Sequence, residues 1–226
     1  MTTTLRRHLD LLLLAILAAL LVAFPALDLE TSALFYDPAD GFRLKTHPLA
    51  RFIYDLVPWI SRIILGGLIL FLLGGRVLYR RHAAFTRRRR AALFLLLVAL
   101  VGPLLLVNGV FKEHWGRARP SQVVEFGGTK AFTRAAVPTD HCARNCSFVS
   151  GHASVGFYFL ALAFVWPHRR MLWLGIGTAA GLLVGLVRIV QGGHFLSDVV
   201  FAGIVVYLTA LGLAALMHPA DVESRA

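Results

Sequence analysis

Six stretches of roughly 20 apolar residues constrain this chain more than any motif, because they leave few places for polar groups among its 226 residues. They lie near Leu9–Leu27, Trp59–Tyr79, Ala91–Phe111, Phe148–Trp166, Met171–Val190 and Phe195–Met217. A helix rises about 1.5 Å per residue, so roughly 20 residues match the ~30 Å of hydrocarbon in a bilayer. Within lipid, backbone N–H and C=O groups must bond inside their own segment, and a helix does this. The residues are 58% hydrophobic and 15% charged, with mean hydropathy +0.70, more apolar surface than a soluble domain of this size can bury. The expected fold is all-α: one domain over residues 1–226, an integral membrane bundle of six transmembrane helices. Arg6 and Arg7 precede the first run as they would a signal peptide. Leu11–Leu27 is longer than a usual signal core, however, and no clear small-x-small cleavage site follows.

Charge sets the expected orientation. Arg76, Arg80, Arg81, Arg87, Arg88, Arg89 and Arg90 crowd the connection after the second run, with no acidic residue among them. Arg6, Arg7, Arg169 and Arg170 fall on the same side of a six-helix path, which the positive-inside rule makes cytoplasmic. Both termini are then cytoplasmic. The connections Asp28–Pro58 and Lys112–Ser147, and the turn at Gln191–Gly193, face outward. The net charge of +11 reads as membrane anchoring and not as nucleic-acid binding.

The rare polar residues sit at helix ends. Lys112 and Arg119-Pro120 follow the third run, Ser150-Gly151-His152 open the fourth, Arg188 ends the fifth, and His194 and Asp198 open the sixth. Alternating helices bring those ends to one membrane face. Gly177, Gly181 and Gly185 recur every four residues and allow close helix packing; Arg188 shares their face and so points into the bundle. His194 and Asp198, four apart, stack on successive turns, so the carboxylate can fix the imidazole tautomer and leave one nitrogen free to attack. Gly151 admits a ligand close to the backbone at a helix N-terminus, where free N–H groups bind anions. His152 is placed to give a proton to a leaving oxygen. Lys112, Arg119 and Arg188 suit the oxygens of a transferring phosphoryl group. A zinc site of His141, His152, His194 and Asp198 is the competing reading, disfavoured because three neighbouring cations would repel the metal.

Lys112-x6-Arg119-Pro120, Ser150-Gly151-His152 and Arg188-x5-His194-x3-Asp198 resemble the three signature motifs of the type-2 phosphatidic-acid phosphatase superfamily, which includes vanadium haloperoxidases. The motifs lie within residues 112–198. The resemblance implies that Lys112, Arg119, Ser150, Gly151 and Arg188 hold phosphate. It also implies that His194 forms a phosphohistidine, Asp198 steers it, and His152 protonates the leaving group. Two positions depart from the pattern without removing a chemical group: Val149 stands where proline is usual, and Val187 where a small residue often precedes the arginine. No cofactor and no metal is implied.

Cys142 and Cys146 lie in the outer connection, where a disulfide is expected over a two-thiol metal site. The same connection carries Arg117, Lys130, Arg134, His141 and Arg144, an excess of cations suited to a polyanionic head group. Trp115–Pro120 and Cys146–Ser154 resemble the bacterial lipid A phosphatases. The expected partner is a phosphorylated lipid of the bacterial cytoplasmic membrane, with the site facing the periplasm. Lipid A, undecaprenyl diphosphate, phosphatidylglycerol phosphate and phosphatidate are the candidates. Transfer to a lipid alcohol in place of water is the alternative chemistry. A transporter or scaffold would instead place its charges near mid-membrane.

Overall fold

In the computed structural model the backbone is described over residues 3–78 and 83–219, and side chains over 9–74 and 88–219. Arg80 and Arg81 of the arginine-rich connection lie outside the described residues. The helices in chain order are α1 (Thr3–Ala23), α2 (Ala26–Ala33), α3 (Pro48–Leu78), α4 (Ala83–Ala99), α5 (Lys112–His114), α6 (Gly151–Phe157), α7 (Leu162–Val165), α8 (Arg170–Val190) and α9 (Leu196–Met217). A π-helical stretch, Leu100–Phe111, joins α4 to α5, and a 3₁₀ turn, Tyr158–Ala161, joins α6 to α7. Strands β1 (Tyr36–Asp37) and β2 (Gly41–Phe42) form a small antiparallel hairpin, pairing Tyr36 with Phe42, that the all-α expectation lacked.

Among the described residues, four helical spans are long and apolar enough to cross a bilayer: Pro48–Gly74, Arg88–His114, Pro167–Val190 and Leu196–Met217. A bent pair, Leu9–Ala23 with Ala26–Ala33, makes a fifth if taken as one. The first run therefore does not continue straight to Leu27. Pro25 cannot donate to the helix behind it, and the chain turns by 79° there. The second run starts earlier than expected, at Pro48, a residue that suits a first helical position, so the Asp28–Pro58 connection is partly helix.

The fourth run is the larger departure. Phe148 and Val149 stay outside the helix, Ser150 caps it by accepting from the Ala153 amide, and Gly151–Val165 is too short to count as a span by itself. This segment is buried at the centre of the bundle. Phe157 and Leu160 join Val107, Phe148, Val199, Val206 and Tyr207 in one core cluster, while Tyr158 and Val165 join Phe94, Val98 and Ala210 in a second.

Small residues bring α6 and α8 together. A Cβ at Gly156 would lie 2.6 Å from the Ala180 carbonyl oxygen, and one at Gly177 would lie 2.5 Å from the Leu160 nitrogen. At Gly181 and Gly185 the obstacles are the Phe157 ring and Val199. Leu12, Trp59, Ile63, Leu70, Leu73, Leu104 and Leu183 remain exposed around the bundle. An apolar belt of that extent calls for lipid.

Gly156→Ala and Gly177→Ala push against backbone, which cannot rotate away. Each is expected to destabilise by about 1–3 kcal/mol. Gly175, whose Cβ would meet nothing within 4 Å, should tolerate alanine. Thermal unfolding of the three variants in one detergent checks the contrast.

Candidate active site

The site is built where the ends of the long helices meet two connecting segments. Arg117 sits at its base, fully buried. Its Nη1 donates to Asp198 Oδ1 at 2.6 Å and to Ser197 Oγ at 2.9 Å. Its Nη2 donates to Asp28 Oδ2 at 2.8 Å, and its Nε to the Thr133 carbonyl at 2.9 Å. Burial works against the charge, but the flanking Asp198 and Asp28 more than compensate, and the Arg117 pKa is raised. Asp28 in turn accepts from the backbone amide and hydroxyl of Ser197. The sequence reading placed Arg117 among surface cations facing the substrate. The structure corrects this: four of its five N–H donors are spent on partners inside the protein.

Asp198 is fully engaged. Besides Arg117, it accepts from Ser147 Oγ at 2.5 Å and from the Phe195 amide at 2.8 Å, both at Oδ2. His194 Nδ1 lies 3.6 Å from that oxygen, an electrostatic contact longer than a hydrogen bond. Burial holds the His194 pKa well below the usual imidazole range; Asp198 pulls it upward, and Lys112 and Arg188 push it further down. The ring is thus neutral near pH 7, with a lone pair available.

Two of the three predicted phosphate-binding cations, Lys112 and Arg188, act on this imidazole, and Arg119 lies within electrostatic reach of Lys112. Lys112 emerges from the π-helical stretch, and Nζ donates to Asn145 Oδ1 at 3.0 Å and to the Cys146 carbonyl at 3.2 Å. Arg119 donates to the Asn145 carbonyl at 2.7 Å, while its backbone amide is held by Gln122 Oε1. Asn145 serves both from a left-handed backbone conformation, φ 52°, that asparagine tolerates better than most residues. Arg188 donates to Gln191 Oε1 at 2.5 Å and lies 4.6 Å from the Tyr54 ring centroid. Lys112 lies within electrostatic reach of both arginines.

Two glycines make that convergence possible. A Cβ at Gly151 would come within 2.7 Å of Asn108 Oδ1 and 3.0 Å of Lys112 Cε. One at Gly193 would lie 2.2 Å from Arg188 Nη2. Ser150 contributes mainly to architecture: its hydroxyl caps α6 and its amide donates to the Asp198 carbonyl at 3.0 Å, fixing α6 to α9.

His152 follows directly and stacks on Tyr54, with ring centroids 4.3 Å apart and planes 17° from parallel. His152 Nε2, His194 Nδ1 and Arg188 Nε are buried without a hydrogen-bond partner. Buried polar atoms are rarely left so; His194 Nδ1 faces Asp198, and the other two fit a site built for a bound polar group. Tyr54, Asn145, Ser147, Ser197 and Asp28 complete the constellation, and the sequence reading named none of them as a site residue. Only the aspartate, a charge at the end of the first apolar run, left a trace in the sequence.

Of the expected outer cations, Arg144 pairs with Glu113 at 3.1 Å and His141 Nδ1 lies 3.1 Å from the Ala131 carbonyl. Lys130 and Arg134 are exposed. Cys142 and Cys146 are bonded, with Cα atoms 5.6 Å apart. Among the described residues no three His, Cys, Asp or Glu side chains converge as metal ligands.

These residues fall within the span of a family model. The PAP2 superfamily model matches residues 90–221, which contain all three motifs. The chain belongs to the PAP2 superfamily. Within that superfamily it is similar to the lipid A 4'-phosphatase of Francisella tularensis subsp. novicida (strain U112), 39% identical over 206 residues, covering 86% of this chain and 88% of that one. It is also similar to the lipid A 4'-phosphatase of Rhizobium leguminosarum, 34% identical over 218 residues, covering 87% of this chain and 91% of that protein. The lipid A 1-phosphatase of Rhizobium etli (strain ATCC 51251 / DSM 11541 / JCM 21823 / NBRC 15573 / CFN 42) matches a shorter part, 33% identical over 111 residues, or 47% of this chain and 44% of that protein. No solved structure matches the chain.

Removing Arg117 leaves two buried carboxylates without their counter-ion. Arg117→Met should destabilise the protein by about 3–5 kcal/mol and abolish turnover. Adding Asp28→Asn should restore part of the stability, because one orphaned charge is removed. Thermal midpoints of the single and double variants decide it.

Proposed function

We propose that this lipid phosphatase removes the 4'-phosphate of lipid A at the outer face of the bacterial cytoplasmic membrane, through a phosphohistidine on His194. What carries the substrate assignment is the near-full-length similarity to lipid A 4'-phosphatases, set against the partial match to a 1-phosphatase. In this reading the chain crosses the membrane six times, with the bent α1–α2 pair and the short Gly151–Val165 segment each counting as one crossing. Both termini are cytoplasmic. The arginine-rich connection at 76–90 supports that orientation.

The chemistry follows from the neutral imidazole and its cations. Lys112, Arg119 and Arg188 bind the non-bridging oxygens and stabilise charge as the phosphoryl group transfers, so the mechanism needs no metal. His194 Nε2 attacks phosphorus while the bond to the sugar oxygen breaks. As the ring gains positive charge, Asp198 stabilises it from the Nδ1 side, the 3.6 Å contact tightening as catalytic contacts often do on substrate binding. His152 gives its proton to the leaving oxygen, and the dianionic phosphate beside it favours the protonated form needed. Water then gives a proton back to His152 and attacks phosphorus, the P–N bond breaks, and inorganic phosphate leaves.

His194→Ala is expected to release no phosphate from lipid A. His152→Ala should lose roughly 10²–10⁴-fold on an alkyl phosphate and much less on an aryl phosphate, whose leaving group needs no proton. Equal loss on both would remove the general-acid role.

The orientation has its own check. A cysteine at Lys130 should react with an impermeant thiol reagent added to intact spheroplasts, and one at Arg88 should not. The reverse pattern would place the site in the cytoplasm.

A further inference from the structure

Beyond the catalytic cations the site opens into a cleft of about 310 Å³, on whose wall Arg119 and Arg188 meet Lys45, Arg51, Tyr54 and Asp55. One water occupies roughly 30 Å³, so this space exceeds what a lone phosphate fills. Lys45 comes from the 3₁₀ turn Arg43–Thr46 and Arg51 from the first turn of α3, segments outside all three motifs. Both are exposed to the cleft, and neither makes an ion pair or side-chain hydrogen bond among the described residues. Other cations nearby are already committed: Arg43 is paired with Asp37 and Asp40, Arg144 with Glu113, and Arg117 with Asp28 and Asp198.

Ser121 and Lys45 also line a second hollow of about 540 Å³, walled by the hairpin residues Tyr36 and Phe42, by Phe126, and by the ion-paired Asp40 and Arg43. Lys45 stands at the junction of the two. A ligand whose phosphate is held by Lys112, Arg119 and Arg188 would extend along this path past two unneutralised cations. Asp55 alone opposes them on the cleft wall.

We propose that Lys45 and Arg51 form a second anion subsite that recognises a further phosphate or carboxylate on the same lipid head group. This rests on the lipid phosphatase reading above and adds the residues that choose among substrates. Free cations near a mouth also speed capture of any anion, an effect that fades with salt. A directional subsite instead discriminates between head groups at fixed salt, because its charge-assisted hydrogen bonds need a partner.

The test compares purified enzyme on bisphosphorylated lipid A and on phosphatidate, in neutral detergent so that no other anionic lipid is present. Lys45→Ala/Arg51→Ala should lower kcat/KM for the bisphosphorylated lipid about tenfold or more, and for phosphatidate about twofold at most. Asp55→Asn should move the same ratio the opposite way, a sign that misfolding cannot produce. Equal losses on both lipids, or an unchanged ratio in both variants, would overturn the subsite while leaving the phosphatase intact. Selectivity that appears only in anionic vesicles would assign these cations to neighbouring lipids and overturn it too. Failure of the wild type to release phosphate from either lipid would remove the phosphatase reading and this one with it.

Discussion

One buried guanidinium holds the active face together. Arg117 joins α2, through Asp28, to the start of α9, through Ser197 and Asp198, and Ser147 donates its amide to the Arg117 carbonyl. Taking three charges out of water is expensive, and the arrangement survives because nearly every donor and acceptor in it is satisfied. The consequence reaches the reaction. Asp198 is held by partners other than His194, so the carboxylate is already in place beside the imidazole.

The imidazole itself depends on burial. A solvated histidine titrates close to neutral pH, so part of it would be protonated there and unable to attack; burial and neighbouring cations both favour the neutral ring. His194 is 1% exposed, and desolvation keeps it neutral while Lys112 and Arg188 stand within electrostatic reach of the ring. The cations in turn are steered by neighbours that carry no charge. Asn145 orients Lys112 and Arg119, Gln191 orients Arg188, and Gly151 and Gly193 leave the space these side chains occupy. Electrostatic preorganisation of this kind lowers a barrier without reorganisation during the reaction.

The bilayer and the bundle interior divide the apolar residues between them. α3 presents almost all of its apolar surface outward, whereas the shorter Gly151–Val165 segment is enclosed by α8, α9 and the π-helical stretch. A central helix wrapped by longer ones has its backbone bonded internally and its side chains packed against protein, so it need not match the hydrocarbon thickness by itself. Its short length places His152 in line with Arg188 and His194 at their helix ends.

Sequence alone determined the apolar segments, since hydropathy over 20 residues is a local property, and it determined the residues of the three motifs, whose order and spacing are written in the chain. It also marked Gly177, Gly181 and Gly185 as a packing face, because helical periodicity is local too. Tertiary structure decided what depends on distant parts of the chain. Whether a cation is free or committed is set by its neighbours: Arg117 looked like a surface charge until Asp28, 89 residues away in sequence, was beside it. Lys45 and Arg51 gave no signal in an ordinary-looking connection, yet they line the cleft beside Arg119 and Arg188. Composition counts charges, but only the folded chain pairs them, and the unpaired ones are those left to meet a ligand.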